Sequence, residues 1–230
     1  MVSNNLFLYD DKFENKLNEL RKRFRSRMNG KTTEQMQNGQ ISYKENYGAS
    51  LQHIKELAQE MSFTPDEYSL LWRTNIREAM LISAINYPEE FTSAEEMTSW
   101  AKTICTADMA EQASFFLFYR CHDVDHFITN ILQETTTYTL TIATFSAGRA
   151  IAKGRQLSDN THRTLTDIIL STTNISSSEA RGISLYLRQL CKITAYVDTV
   201  KSLADIYSKR SDSMSKQISF EVINEIEMPL

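Results

Sequence analysis

The segment CHDVDH, Cys121 to His126, carries the residue types of a metal site. His122 and His126 stand four apart and would share a face if helical, as paired zinc ligands do. The same six residues sit where one helix should hand over to the next, where Asp123 or Asp125 makes a natural cap. A third ligand would have to come from Cys121 or Asp125 with awkward geometry, so no metal is expected. Basic side chains form a second group. Arg149, Lys153 and Arg155 run off one predicted helix, while Arg181, Arg188 and Lys192 decorate another. Arg181 and Arg188 are seven apart and fall on one face. Such a set could contact phosphates with salt-dependent, sequence-independent affinity, or form an ordinary solvated surface. Asp108 and Glu111 supply two carboxyl groups at capping-box spacing, which by itself accounts for both at about 0.5–2 kcal/mol of helix stability. No local motif offers a Ser/His/Asp or Cys/His nucleophile, and no Gly-rich phosphate loop is present.

The elements that would position these residues are helical. From Leu71 to Tyr119, apolar residues recur at helical spacing through three segments: Met80, Leu81, Ala84 and Ile85, then Met97, Trp100, Ala101 and Ile104, then Met109, Ala113, Phe116 and Leu117. A first helix, Asp10 to Arg27, carries Phe13, Leu17, Leu20 and Phe24, with Gly30 as its stop and a basic cluster from Arg21 to Arg27. Gly39 and Gly48 mark a connection, and Ser50 caps a helix through Met61. Thr64-Pro65-Asp66-Glu67 is a strong start signal, with Pro at the first helical position and Glu at the capping-box position.

Pairs then follow: Pro65 to Arg73 with Ile76 to Asn86, Ala94 to Cys105 with Met109 to Arg120, and Val124 to Gln133 with Tyr138 to Ala152. Asn160 to Ser171 goes with Ser178 to Cys191, opened by Ser176 and Glu179, and Tyr196 to Lys209 goes with Ser213 to Glu227. Each pair takes roughly 30–37 residues, a little under the ~40–47 of HEAT units. The expected fold is a single all-α domain over residues 1–230: an α-α superhelix of stacked antiparallel pairs with a long concave surface. Residues 1–9 and the end of the chain are its expected periphery. Trp72 and Trp100 read as core anchors, and Phe115, Phe116, Phe118 and Tyr119 as core packing in preference to base stacking.

Composition narrows the class further. Cys105, Cys121 and Cys191 are three and widely separated, which argues against a disulfide framework and for reduced core residues. No apolar run approaches the roughly 18 residues of a membrane span, and the N-terminus lacks a signal-peptide pattern. A cytoplasmic protein without membrane contact is expected. The net charge of −4 is unevenly spread. Residues 12–31 hold eight Lys/Arg against two acids, residues 51–135 five against fourteen, and residues 136–210 ten against five. Basic flanks around an acidic centre permit a phosphate backbone to be met at the two ends.

At LRKRFRSRMNG, ISYKENYGASLQHIKELAQE, LWRTNIREAMLISAINYPEEFT and ADMAEQASFFLF the chain resembles the HEAT-like DNA alkylation repair family, the AlkD-like glycosylases, and in particular a shorter bacterial branch. The resemblance covers about residues 17–193. It implies duplex DNA as partner, excision of cationic N-alkylated bases such as 3-methyladenine and 7-methylguanine, no cofactor, and no flipping of the base into a pocket. It also implies two Trp rings stacked on the deoxyribose, an Asp stabilising the cationic sugar, and an Arg.

At those positions this chain differs. The Trp and Asp fall where it has Asp108 and Gln112, Met109 and Ala113, or, slipped by one, Ala107 and Glu111. The Arg falls near Thr141, with Arg149 two turns later, and the second Trp falls on a helix whose sole aromatic is Tyr186. Glu111, with Asp108 beside it, is the carboxylate left for the oxocarbenium role. The expectation is a duplex-DNA-binding relative with altered or lost excision. The alternatives are a helical-repeat scaffold that binds a protein through its acidic centre from Glu89 to Glu111, and a competent glycosylase built on Glu111.

Overall fold

A helix leaves its first N–H groups without partners, and a short oxygen-bearing side chain just ahead of it satisfies them. The computed structural model describes residues 11–28 and 43–228, and most helix starts in it follow that rule. Ser50 accepts from His53 N, Ser93 from Glu96 N, Asp123 from His126 N and Asp212 from Ser215 N. Thr64 with Glu67, and Ser176 with Glu179, complete both halves of a capping box. Gly30 and Gly39, read as a helix stop and a connection, lie outside the described residues, as do residues 1–9.

Twelve α-helices result among the described residues, with no strand and one isolated β-bridge between Glu45 and Ile76. The chain is all-α, and it packs as two compact units that meet in sequence at Tyr87 and Pro88. The first unit holds α1 (Asp11–Ser26), α2 (Leu51–Glu60), α3 (Pro65–Arg73) and α4 (Arg77–Asn86). Its centre is α4, buried on nearly every side from Arg77 to Ala84. Glu78 is fully buried there and accepts from the main-chain N–H groups of Tyr47 and Ala49, while Arg77 donates to the Ala49 carbonyl. Those bonds pin the segment before α2 against the start of α4, and Lys44 N–H ties it to the carbonyl of Asn75, which adopts a positive φ of 54° in the turn between α3 and α4. Trp72 is buried as expected of a core anchor.

The second unit holds α5 (Ala94–Lys102), α6 (Ala107–Phe116), α7 (Val124–Gln133), α8 (Thr139–Ala152), α9 (Asp159–Ser171), α10 (Ser177–Leu190), α11 (Val197–Ser208) and α12 (Ser213–Glu227). Helices adjacent in sequence pack as pairs at α7–α8 and α11–α12, as α3–α4 do in the first unit. Alternate helices also stack into layers, α6 on α8, α8 on α10 and α10 on α12, with α5 on α7 in the other layer. Trp100 is buried in α5.

Two corrections concern α6. Its N-cap is Thr106, which accepts from Met109 N, and Asp108 sits inside the first turn, so Asp108 and Glu111 do not form the expected capping box. Starting two residues earlier adds Ala107 and Asp108 to the helix ahead of the fully buried Met109 and Ala110. The helix also stops at Phe116 and passes into a 3-10 turn at Phe118–Arg120. The reason is local: Arg120 Nε takes the Phe116 carbonyl at 2.6 Å, and Arg120 N–H turns to Leu117.

Helix C-termini in this unit are finished by side chains from later in the chain. Tyr207 Oη donates to the Ile169 carbonyl, and Arg210 to those of Leu170 and Thr172, at the end of α9. Arg155 does the same for Cys121 and His122.

The tightest approach is between α8 and α10, and two glycines allow it. A Cβ on Gly148 would lie 2.9 Å from Leu185 Cγ and from Tyr186 N, and one on Gly182 would collide with Thr144 Oγ1 and meet the Phe145 ring at 3.0 Å. Gly182→Ala must push the helices apart or force Thr144 off its rotamer, so urea denaturation is expected to show a loss of about 1–3 kcal/mol. An unchanged midpoint would mean that α8 and α10 slide freely.

Candidate functional site

The residues singled out from the sequence concentrate on or just after α6, α8 and α10. Glu111 projects from α6 and is ion-paired with Arg181 of α10, which also donates to Ser177 Oγ at 2.7 Å. The carboxylate proposed for a cationic transition state therefore already faces a guanidinium, and the pair is close to neutral. Tyr186, the aromatic of α10, is fully buried and hydrogen-bonded to His162. Glu111 and Tyr186 thus have separate partners, and Asp108 stays in the first turn of α6, where a carboxylate complements the helix dipole.

Arg149 lies differently. Its guanidinium carbon sits 3.9 Å from the centroid of the Phe115 ring and 5.4 Å from that of Tyr119. Phe115 is 36% exposed, which corrects the expectation that the whole aromatic group is core; only Phe118 of the four is fully buried. The Arg149 Nε is buried without a hydrogen-bond partner among the described residues. Stacking of this kind holds an arginine in place while leaving its charge uncompensated. Lys153, one turn on, caps α8 and is exposed.

The other predicted phosphate contacts are engaged within the chain. Arg155 binds Glu89 at 3.2 Å besides the two carbonyls it finishes. Arg188 and Lys192 of α10 both hold Glu225 of α12, at 2.8 and 2.9 Å. Glu225 is buried, which by itself would raise its pKa, but the two cations hold the carboxyl below its ordinary value. In the first unit Arg21 and Arg23 of α1, and Arg27 just after it, reach Glu45, Glu60 and Glu56, while Lys22 and Arg25 are exposed.

At CHDVDH, Asp123 caps α7, His122 is exposed, and Asp125 accepts from Ser158 N and Oγ, both at 2.8 Å. No cluster of three or more His, Cys, Asp or Glu side chains suited to a metal is found among the described residues. Cys121 is buried, which raises its thiol to about 12, and Cys105 and Cys191 are partly exposed.

Sequence reasoning passed over His162. It lies on the inward side of α9 with Leu165 and Ile169, spaced i, i+3, i+7, and that spacing was the available signal. Its Nδ1 is 2.9 Å from Tyr186 Oη, and its ring packs on Tyr196 at 4.6 Å, whose hydroxyl binds Asp159. The arrangement that orphans neither buried group has the Tyr186 hydroxyl donating to Nδ1. A cleft of about 370 Å³ opens beside it, lined by Asp159, His162, Arg163 and Tyr196 among others.

No family model, curated protein or solved structure matches the chain. Among the described residues no helix is long and apolar enough to cross a membrane.

Burial holds the His162 pKa below its ordinary value, against the opposing pull of Asp125 and Asp159. The fold therefore favours neutral imidazole, and the unfolded chain takes up the proton first as pH falls. Stability from this group is complete above about pH 6.5 and declines as pH drops from there to the folded-state pKa. Urea midpoints measured from pH 8 to 5 should fall in this window, less so in His162→Gln. Equal slopes in the two proteins would remove His162 as the cause.

Proposed function

We propose that the chain is a duplex-DNA-binding helical-repeat protein related to the N-alkylpurine DNA glycosylases, and that it does not perform their excision. The observation that supports binding is Arg149: a half-buried arginine stacked on the partly exposed Phe115, with no acidic partner among the described residues, beside the exposed Lys153. Phe115 adds an aromatic surface of the kind that stacks on a sugar or base. What speaks against excision is Glu111, whose charge is taken up by Arg181. A glycosidic bond breaking toward a cationic sugar gains most from an uncompensated carboxylate. The cations Arg155, Arg181, Arg188 and Lys192 contribute to this reading only through the overall potential, since each is ion-paired with an acidic side chain of the same chain.

A second reading, a scaffold for a protein partner, is favoured by one feature. The stretch from Glu89 to Glu96 borders a cleft of about 350 Å³ lined by Glu90, Phe91, Glu95 and His126 among others, and Phe91 is 49% exposed there. An exposed aromatic ringed by carboxylates suits a basic segment of another protein.

The two are separated by a titration of methylated duplex DNA at two salt concentrations, with base release followed in the same samples. Salt-sensitive binding without release of 7-methylguanine or 3-methyladenine is expected. Arg149→Ala should weaken binding and flatten the log–log salt slope by about one unit if it meets one phosphate. Release abolished by Glu111→Gln would overturn the non-catalytic reading, and absence of binding at low salt would leave the protein-partner reading.

A further inference from the structure

Among the described residues α12 is the last helix, and it packs on α10 and α11 through Ser215, Ile218, Ser219, Val222 and Glu225. Its other side is open. Lys216, Phe220, Ile223 and Glu227 are all exposed and follow one another at i, i+4, i+7 and i+11, so they lie in a single stripe about 16 Å long. Phe220 is 68% exposed and Ile223 36%. Isolated apolar residues on a surface need no explanation. This stripe, however, is a palindrome. The midpoint between Lys216 and Glu227 is also the midpoint between Phe220 and Ile223, and it falls between Glu221 and Val222.

That symmetry selects a partner. Two copies of the stripe laid antiparallel about a two-fold axis place Lys216 of each against Glu227 of the other, and Phe220 against Ile223, twice over. Laid parallel and in register they would set lysine on lysine and glutamate on glutamate. Neither Lys216 nor Glu227 has an ion-pair partner among the described residues, so both charges remain for such a contact. Their neighbours are already engaged, Gln217 donating to Glu221 at 2.8 Å and Glu225 holding Arg188 and Lys192. We infer that the outer face of α12 is a self-association surface, and that its occupant is α12 of a second copy of this chain in an isologous, antiparallel dimer. A contact of one helix on one helix lies at the small end of specific interfaces, below about 1,200 Å², so the dimer is weak and concentration-dependent.

The test is sedimentation velocity on the whole chain from about 1 to 200 μM, a range that brackets weak association. The unaltered protein should shift from monomer to dimer across it. Phe220→Glu should stay monomeric, with a circular dichroism spectrum unchanged because the side chain points away from the core. Lys216→Glu and Glu227→Lys should each weaken the dimer about tenfold, while the double reversal restores it to within about threefold, because only the antiparallel arrangement pairs those two positions. A monomer at every concentration, a dimer that survives Phe220→Glu, or a double reversal no better than the singles would each overturn the proposal; the first would leave the face to a different partner.

Discussion

The second unit depends on the absence of two side chains. Without a Cβ at Gly148 and Gly182, α8 and α10 come together until the Phe145 ring, Thr144 and Leu185 lie against the opposing main chain. Dispersion forces fall off steeply with separation, so a crossing this close makes every neighbouring contact stronger. It also sets the geometry around it. With α10 drawn onto α8, Thr141 and Ser178 share a buried hydroxyl contact at 3.3 Å, and Arg181 is carried within reach of Glu111 on α6. The ion pair that decides the chemistry of this face is thus a consequence of packing beneath it.

Charge follows the same logic. Read along the chain, the flanks are basic and the centre acidic, but folding interleaves the blocks. Arg21, Arg23 and Arg27 meet Glu45, Glu60 and Glu56, Arg155 meets Glu89, and Glu225 draws Arg188 and Lys192 together over α12. Apart from the pairs of the buried Glu225, these are surface pairs that add at most about 1 kcal/mol each to stability. Their larger effect is to lower the positive potential available to a polyanion, which concentrates attention on Arg149, whose partner is an aromatic ring.

What could be read from the sequence was what is encoded locally. Thr64 with Glu67 and Ser176 with Glu179 announced two helices because a capping box needs only four consecutive residues, and helix limits elsewhere came out within a few positions. Where the reading failed, two local solutions competed. Thr106 and Asp108 are both good caps, and it is Thr106 that accepts from Met109 N; Arg120 could continue a helix or end it with its own side chain. The site was less legible still. Glu111 and Arg181 are separated by 70 residues and His162 and Tyr186 by 24, and nothing in the spacing of either pair says that they meet. The exposed Phe115 was hidden by its neighbours, since a run of aromatics reads as core whichever one faces out.

The carbonyls at the end of α9, and those of Cys121 and His122, are completed by Tyr207, Arg210 and Arg155, residues that come later in the chain. The arrangement gives the second unit a direction. At these two places full hydrogen bonding is reached only when the later residues are in position. An interruption late in the unit is then felt upstream, as fraying in helices whose own sequence is intact.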